Sequence, residues 1–424
     1  MSSVLMLAYY FPPMGLGGVQ RALKFARYLP EYGWRPVVIT VKNVRYYGYD
    51  PSLLDELPET VCVERTESLD PLRLAYLIGN KSHSDKAKVT AGPAWLRRIC
   101  FPDYQAGWIP FAVARGLRVI SREPVEAIFS TFPPASAHWA GHLLHRLTGL
   151  PHIADFRDAW TGGEFERFRG DAGRHLTERL QKTILDTAAC ITAVSEGIGT
   201  QLLTARPGSV VRILPNGFDP ADFATPAPTP HPDRFVLTCC GAFNTARNPE
   251  PLLRALRRLW DRNPAAASRV EVRLAGAAVG IDLAGIIRSY RLEKTLFPLG
   301  YLTHREAVTQ MLEADALALF ITSDTAEAMD VPTGKIYEYL AAGKPVLCIA
   351  PDGAASRLIT AYGRGTTLSP DRIDDMANTL ETWVAQHIQG MFPVFPVNTP
   401  SLASFTRPFL AEQLARVLDT AAIH

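Results

Sequence analysis

Within AMDVPTGKIYEYLAAGKPVLCIAP, residues 328–351, Asp330, Lys335 and Glu338 stand between two apolar runs, ALALFIT and PVLCIA. DALALFIT (315–322) reads as a buried strand, SDTAEAMDVPTG as the loop beyond its carboxyl end, and KIYEYLAAG as a short helix closed by Gly343. Pro332, Thr333 and Gly334 then bring exposed amides to the helix start, and Lys335 adds a mobile cation, a combination suited to phosphate. Glu338 lies one helical turn beyond Lys335 on the same face, and Asp330 precedes Glu338 by eight residues in the loop. Carboxylates at such positions accept paired hydrogen bonds from vicinal hydroxyls. Hydroxyls on both sides of a phosphate describe a nucleotide sugar. A Lys335/Glu338 surface ion pair on an exposed helix is the bland alternative.

A second loop of the same kind follows the first apolar run. In PPMGLGGVQRALKF, Gly15, Gly17 and Gly18 let the backbone turn tightly before a helix whose free amides suit phosphate. The spacing is not G-x-G-x-x-G, and Val41, Lys42 and Asn43 stand where a dinucleotide site needs an acid, so NAD is disfavoured. DFRDAW (155–160) gathers Asp155, Arg157 and Asp158 at the end of another strand, with an Asp155–Arg157 structural pair as the alternative. His138, at the start of the helix after FPP, is a candidate to reach the cleft and the substrate, with a structural or solvated role as the alternative on a helix that also carries His142 and His145. Asn216, Gly217 and Asp219 occupy a turn-forming LPNGFD. No D-x-D pair, H-E-x-x-H or Cys/His cluster offers a metal site.

The elements that must position these residues alternate along the whole chain. VLMLAYY, WRPVVITV, EAIFSTFPP, PHIADF, CITAVS and VVRILPNG are separated by amphipathic helical stretches, which argues for right-handed βαβ units in a parallel sheet. ATPAPTPHP (224–232) reads as a linker, after which FVLTCCGAF, VEVRLAG, LFPLGYL, DALALFIT and PVLCIAP restart the rhythm. The fold class is therefore α/β, with two Rossmann-like doubly wound domains facing across a cleft, where open sheets bind ligands beyond their strands' carboxyl ends. The expected domains are 1–225, joined by the amphipathic tail 402–424, and 233–400. The 424 residues carry 44 basic against 42 acidic side chains, which gives no general attraction to nucleic acid. Six cysteines without C-x-x-C spacing, no signal-like N-terminus and no stretch of 18 uncharged apolar residues suit a cytoplasmic protein.

EYLAAGKPV resembles the E-A-M-A-x-G-x-P-V segment of retaining glycosyltransferases of sequence family 4, which have the two-domain GT-B fold. YFPPMGLGGVQRALKFARYL, FPPASAH, PHIADFRDAWTG, AVSEGI, LPNGFD and GAFNTARNPEPLLRAL agree with the family's other blocks in order and spacing. The resemblance implies that Glu338 holds the ribose and that Asp330, in place of the family's first glutamate, holds the transferred sugar. It implies diphosphate cations after the second domain's first strand: Arg247 fills one slot, whereas Ala242 leaves the other empty, with Lys335 as its substitute. Gly17 and Gly18 would meet the phosphate from the opposite wall, Arg157 and Asp158 replace a His–Asp pair beside the reacting sugar, and Asn216 lines the crevice. Neither cofactor nor metal is implied.

The resemblance thus implies a transferase moving a sugar, with UDP as the expected nucleotide, to a glycan or lipid-linked hydroxyl. A nucleotide-sugar 2-epimerase and a non-catalytic binding subunit share the architecture. PAWLRRICFPDYQAGWIPFAVARGLRVISR (93–122) interleaves aromatics and arginines, which suits an anionic membrane surface at the inner face of the cell membrane and equally a helix with a solvated basic face.

Overall fold

The computed structural model describes residues 1–15, 17–46, 48–78, 100–160, 170–224, 232–323, 329–393, 395 and 400–423. The chain divides into two compact units, Met1–Asn216 with Arg407–His424, and Gly217–Thr406.

The first unit is built on strands β1 (Ser2–Leu7), β2 (Trp34–Val41), β3 (Cys62–Thr66), β4 (Val125–Phe132), β5 (His152–Phe156), β6 (Cys190–Ala193) and β7 (Val211–Ile213). They form one sheet in the order β3-β2-β1-β4-β5-β6-β7, and every pairing is parallel. The central strands are buried on both faces, as near-continuous apolar runs such as VLML and VVITV require. Chain order reverses between β1 and β4, so a crevice opens at their carboxyl ends. The Gly-rich turn after β1 and the FPP after β4 lie at that point. Helix Gly17–Tyr28 follows β1, and helix Ala135–Thr148 follows β4.

The second unit repeats the plan with β8 (Phe235–Cys240), β9 (Val270–Ala275), β10 (Leu296–Gly300), β11 (Ala316–Phe320), β12 (Val346–Ile349) and β13 (Gly365–Leu368), in the order β10-β9-β8-β11-β12-β13 and again parallel. Its reversal falls between β8 and β11, the strands whose following loops carry Arg247 and Asp330. Helix Glu250–Arg262 covers one face through Leu252, Leu253, Leu256 and Leu259. Helix Gly334–Ala341 covers the other through Ile336, Tyr337 and Leu340.

Residues 225–231, most of the proline-rich run, lie outside the described residues. Phe218 and Phe223, ahead of it, belong to the second unit's core. The tail helix Arg407–Ala422 packs Leu410, Leu414 and Leu418 into the first unit's core beside helix Gly17–Tyr28 and β1. Two edge strands, β3 and β13, went unread in the sequence, because Val-Glu-Arg-Thr and Gly-Thr-Thr show little apolar periodicity and are half-exposed.

Candidate functional site

In the second unit the site is assembled from two loops and one helix start. After β8, Gly241 takes a positive φ of 145°, and the Asn244 side chain accepts from the amides of Ala246 (3.0 Å) and Arg247 (2.9 Å). That Asx turn holds Arg247 outward; its guanidinium is exposed and has no side-chain partner among the described residues. Thr322, just past β11, locks the turn: its amide donates to Ala246 O at 2.9 Å and its hydroxyl to Thr245 O at 3.2 Å, while it accepts from Asn248 N. The loops beyond β8 and β11 are therefore one hydrogen-bonded unit.

Helix Gly334–Ala341 is pinned beneath them by Tyr339. Its buried hydroxyl accepts from Cys240 N at 2.7 Å, with the carbonyls of Cys240 and Ala318 both 3.3 Å away, so β8, β11 and the helix share one anchor. At the helix start Gly334 is exposed, and a Cβ there would meet nothing. Thr333, the N-cap, makes no side-chain cap, and its buried Oγ1 has no hydrogen-bond partner among the described residues. A buried hydroxyl left this way, beside open helix amides, fits an oxyanion.

Lys335 Nζ donates to Glu338 Oε2 at 2.6 Å, one turn along the same face. Burial opposes the charge on Lys335, but the Glu338 carboxylate outweighs that and raises its pKa above the ordinary lysine value. Burial pushes the neighbouring Cys240 thiol up to about 12, so it is a protonated core residue. Among the described residues Lys335 spends one of its three N–H donors on Glu338, and one Glu338 oxygen is engaged. The pair thus keeps both a cation for phosphate and a carboxylate oxygen for hydroxyls. Arg247, in the loop after β8, and Lys335, at the start of the helix that follows β11, both come after the carboxyl ends of these adjacent strands. Asp330 is half-buried, three residues before Thr333.

In the first unit Asp155 is fully buried and accepts four hydrogen bonds: two from Arg21 (2.8 and 3.0 Å), one from Thr131 (2.8 Å) and one from Thr192 (2.6 Å). Burial would raise its pKa, but Arg21 and the two hydroxyls hold it below the usual carboxylate range. Arg21 also donates to the carbonyls of Leu214 (2.9 Å) and Pro215 (2.8 Å). The Asp155 partner is thus Arg21 rather than Arg157.

Arg157 points the other way. It donates to Phe132 O at 2.9 Å, Pro133 O at 2.9 Å and Gly18 O, tying β4's end to the first turn of helix Gly17–Tyr28. Burial lowers its pKa, and Asp158 and Asp155 work against that. Gly17 and Gly18 are exposed at that helix start. Asp158 is half-buried, as is Asn216 at the end of the unit's first segment. His138 has no exposed surface: its Nδ1 lies 2.6 Å from Ser130 Oγ, which also meets His152 Nε2 at 2.7 Å, and its ring packs against Phe132, Phe156 and Trp160. Of the segment 93–122, residues 93–99 lie outside the described residues; Trp108 is buried, donating to Thr66 Oγ1 at 2.8 Å, and Arg118 and Arg122 are exposed.

Residues 16–217 match the model of the glycosyl transferase 4-like domain and residues 223–389 that of the glycosyl transferases group 1. The chain belongs to the group 1 glycosyltransferases. No curated protein sequence matches it. Similar solved structures include Anabaena HepE in complex with UDP and glucose (TM-score 0.64, 16% identity, covering 99% of this chain and 100% of that one). Sucrose-phosphate synthase from Thermosynechococcus elongatus is as similar (TM-score 0.64, 14% identity, 100% and 97%). A mutant of S. aureus TarM, in complex with fondaparinux, alpha-GlcNAc-glycerol and UDP, gives a TM-score of 0.60 at 8% identity, covering 100% and 99%. At these identities the likeness is one of fold, and that fold is GT-B.

For a glycosyltransferase built this way, several supporting residues were invisible in the sequence. Tyr339 and Thr322 tie the loops beyond β8 and β11 and the helix Gly334–Ala341 together through bonds between residues 74 to 99 positions apart, and Asn244 shapes the first of these loops locally. Arg21 left one trace: a charge inside the otherwise apolar face of VQRALKF, where a buried partner is required. The half-buried hydrogen bond between His304 and Asp222, at 2.9 Å, left none.

Proposed function

We propose that this glycosyltransferase moves a sugar from a nucleoside diphosphate, with UDP the expected carrier, to a hydroxyl of a glycan or lipid-linked acceptor, with retention and without a metal. The observation that carries this reading is the second unit's conjunction of the outward Arg247, the Lys335–Glu338 pair and the orphaned Thr333 hydroxyl at an open helix start. Glu338 takes the ribose hydroxyls, Asp330 the sugar, and Arg247, Lys335 and the amides from Gly334 the diphosphate. Lys335 stands in for the cation that Ala242 cannot supply. In the first unit, Arg157 fixes the Gly17/Gly18 turn, and Asp158 and Asn216 serve the acceptor.

In the reaction the bond from the anomeric carbon to the diphosphate oxygen breaks as the acceptor hydroxyl attacks from the same face. The departing phosphate oxygen takes the hydroxyl proton, and the cations stabilise the charge that develops on it. With a lipid-linked acceptor the enzyme works at the inner face of the cell membrane.

The test is a thermal-shift panel of nucleoside diphosphates and nucleotide sugars, since a ligand that binds only the folded state raises Tm. UDP or a UDP-sugar is expected to give the largest shift. Glu338→Ala should abolish that shift, and Arg247→Ala should weaken UDP binding tenfold or more while sparing uridine. An unchanged shift in Glu338→Ala would remove Glu338 from the ribose site. Conversion of the donor with no acceptor present would favour an epimerase.

A further inference from the structure

The first unit holds a small cavity at the point where its strand order reverses. Its walls come from Tyr10 beyond β1, Phe132 at the end of β4, Trp160 beyond β5, and Asp103 and Gln105 in the segment between β3 and β4; it measures about 30 Å³. That volume holds about two waters, or the two heavy atoms of a hydroxymethyl group. Most of the lining is apolar: Phe132, Pro134 and Ala135 are buried, and the Trp160 ring is stacked on Phe132 with ring centres 5.4 Å apart.

Two polar groups interrupt that lining. Trp160 is 3% exposed and Gln105 7%, and neither the Trp160 indole N–H nor Gln105 Oε1 has a hydrogen-bond partner among the described residues. The Gln105 amide is held by its other atom, Nε2, which donates to the Tyr10 hydroxyl at 3.1 Å. Buried polar groups of a folded protein are ordinarily satisfied. A donor and an acceptor left open on one cavity therefore describe a guest that supplies both.

The chemistry of the walls makes that guest neutral. No lysine, arginine or histidine is among the described residues that line the cavity, and its one acid, Asp103, is turned to the protein. Asp103 accepts from Gln105 N at 3.0 Å, from Ser136 N at 2.9 Å and from Ser136 Oγ, at the first turn of helix Ala135–Thr148. A carboxylate or phosphate would be desolvated there with no counter-charge. A hydroxyl takes the indole proton and gives its own to the Gln105 oxygen, and its methylene meets the apolar wall.

We propose that this cavity is a specificity subsite for the acceptor, receiving the exocyclic hydroxymethyl group of a hexopyranose, with Trp160 Nε1 donating to that hydroxyl and Gln105 Oε1 accepting from it. It rests on the reading of the first unit as the acceptor side and narrows it: the acceptor presents a neutral hexose, neither a uronate nor a 6-deoxy sugar. A 6-deoxy sugar leaves both polar groups unpaired, and sites built to bond a substrate hydroxyl discriminate strongly against its loss.

The test supplies the UDP-sugar selected by the thermal-shift panel together with methyl glycosides of glucose, galactose and mannose, each in its hydroxymethyl, 6-deoxy and uronate form, and follows UDP release. In the series that reacts, the hydroxymethyl form should exceed the other two in kcat/KM by at least about tenfold. Gln105→Leu should erase that preference, lowering kcat/KM for the hydroxymethyl form and sparing the 6-deoxy form, with the UDP-induced Tm shift retained. Trp160→Phe, which removes the indole N–H, should do the same and serves if Gln105→Leu does not fold. Equal reaction of the three forms, preference for the uronate, or a normal UDP shift with no reaction of any glycoside would overturn the proposal. So would a variant that keeps the parent's preference, which would leave the cavity to water. A parent without a UDP shift would instead bring down the donor reading, and this one with it.

Discussion

Two buried histidines give the first unit a built-in response to acid. Burial brings His138 down to about 3, against the pull of Asp155 and with help from Arg157, and burial also drives His152 well below its ordinary value. Both are therefore neutral in the fold. Their contribution to stability is complete above about pH 6.5, the unfolded value, and is lost as pH falls from there, because the unfolded chain takes up protons that the folded chain refuses. The loss approaches about 1.4 kcal/mol per pH unit for each histidine. Urea midpoints measured between pH 7.5 and 5 should show it, and His138→Gln should reduce the slope by about one proton. A slope identical to the parent's would mean that His138 is already charged in the fold.

At the scale of elements, the loop after β8 depends on how closely β8 and β9 end. A Cβ at Gly276 would lie 1.7 Å from Gly241 O, a backbone atom that no rotamer change can move. Gly276→Ala must displace the turn that leads to Arg247, and a stability loss of about 1–3 kcal/mol is expected with it. Urea unfolding should show that loss, and titration calorimetry with UDP a weaker affinity. Gly17→Ala is the contrast: a Cβ there meets nothing within 4 Å, so the fold should be unchanged. Should Gly276→Ala bind UDP like the parent, the Gly241–Arg247 turn would not be a donor element.

For the whole molecule, the tail helix is the part whose removal should be felt most widely. Leu410, Leu414 and Leu418 are 1%, 0% and 0% exposed, and Trp34 Nε1 donates to Asp419 at 2.8 Å. Burial of three leucines is worth on the order of 5–9 kcal/mol, comparable to the whole stability of an ordinary domain. A chain ending at Thr406 should lose the first unit's cooperative transition in calorimetry while keeping the second's. Retention of both transitions would show the helix to be dispensable.

Sequence by itself determined the strands that lie in the middle of each sheet, the parallel α/β class and the residues gathered at the helix start beyond β11. WRPVVITV and DALALFIT carry their burial in their composition, and Thr333, Gly334, Lys335 and Glu338 fall within one strand–loop–helix segment, where spacing is geometry. Family membership was legible for the same reason, since its blocks are local. Tertiary structure decided everything that depends on distant partners: Arg21 rather than Arg157 on Asp155, Tyr339 bonding to Cys240 across 99 residues, and a histidine enclosed by aromatics.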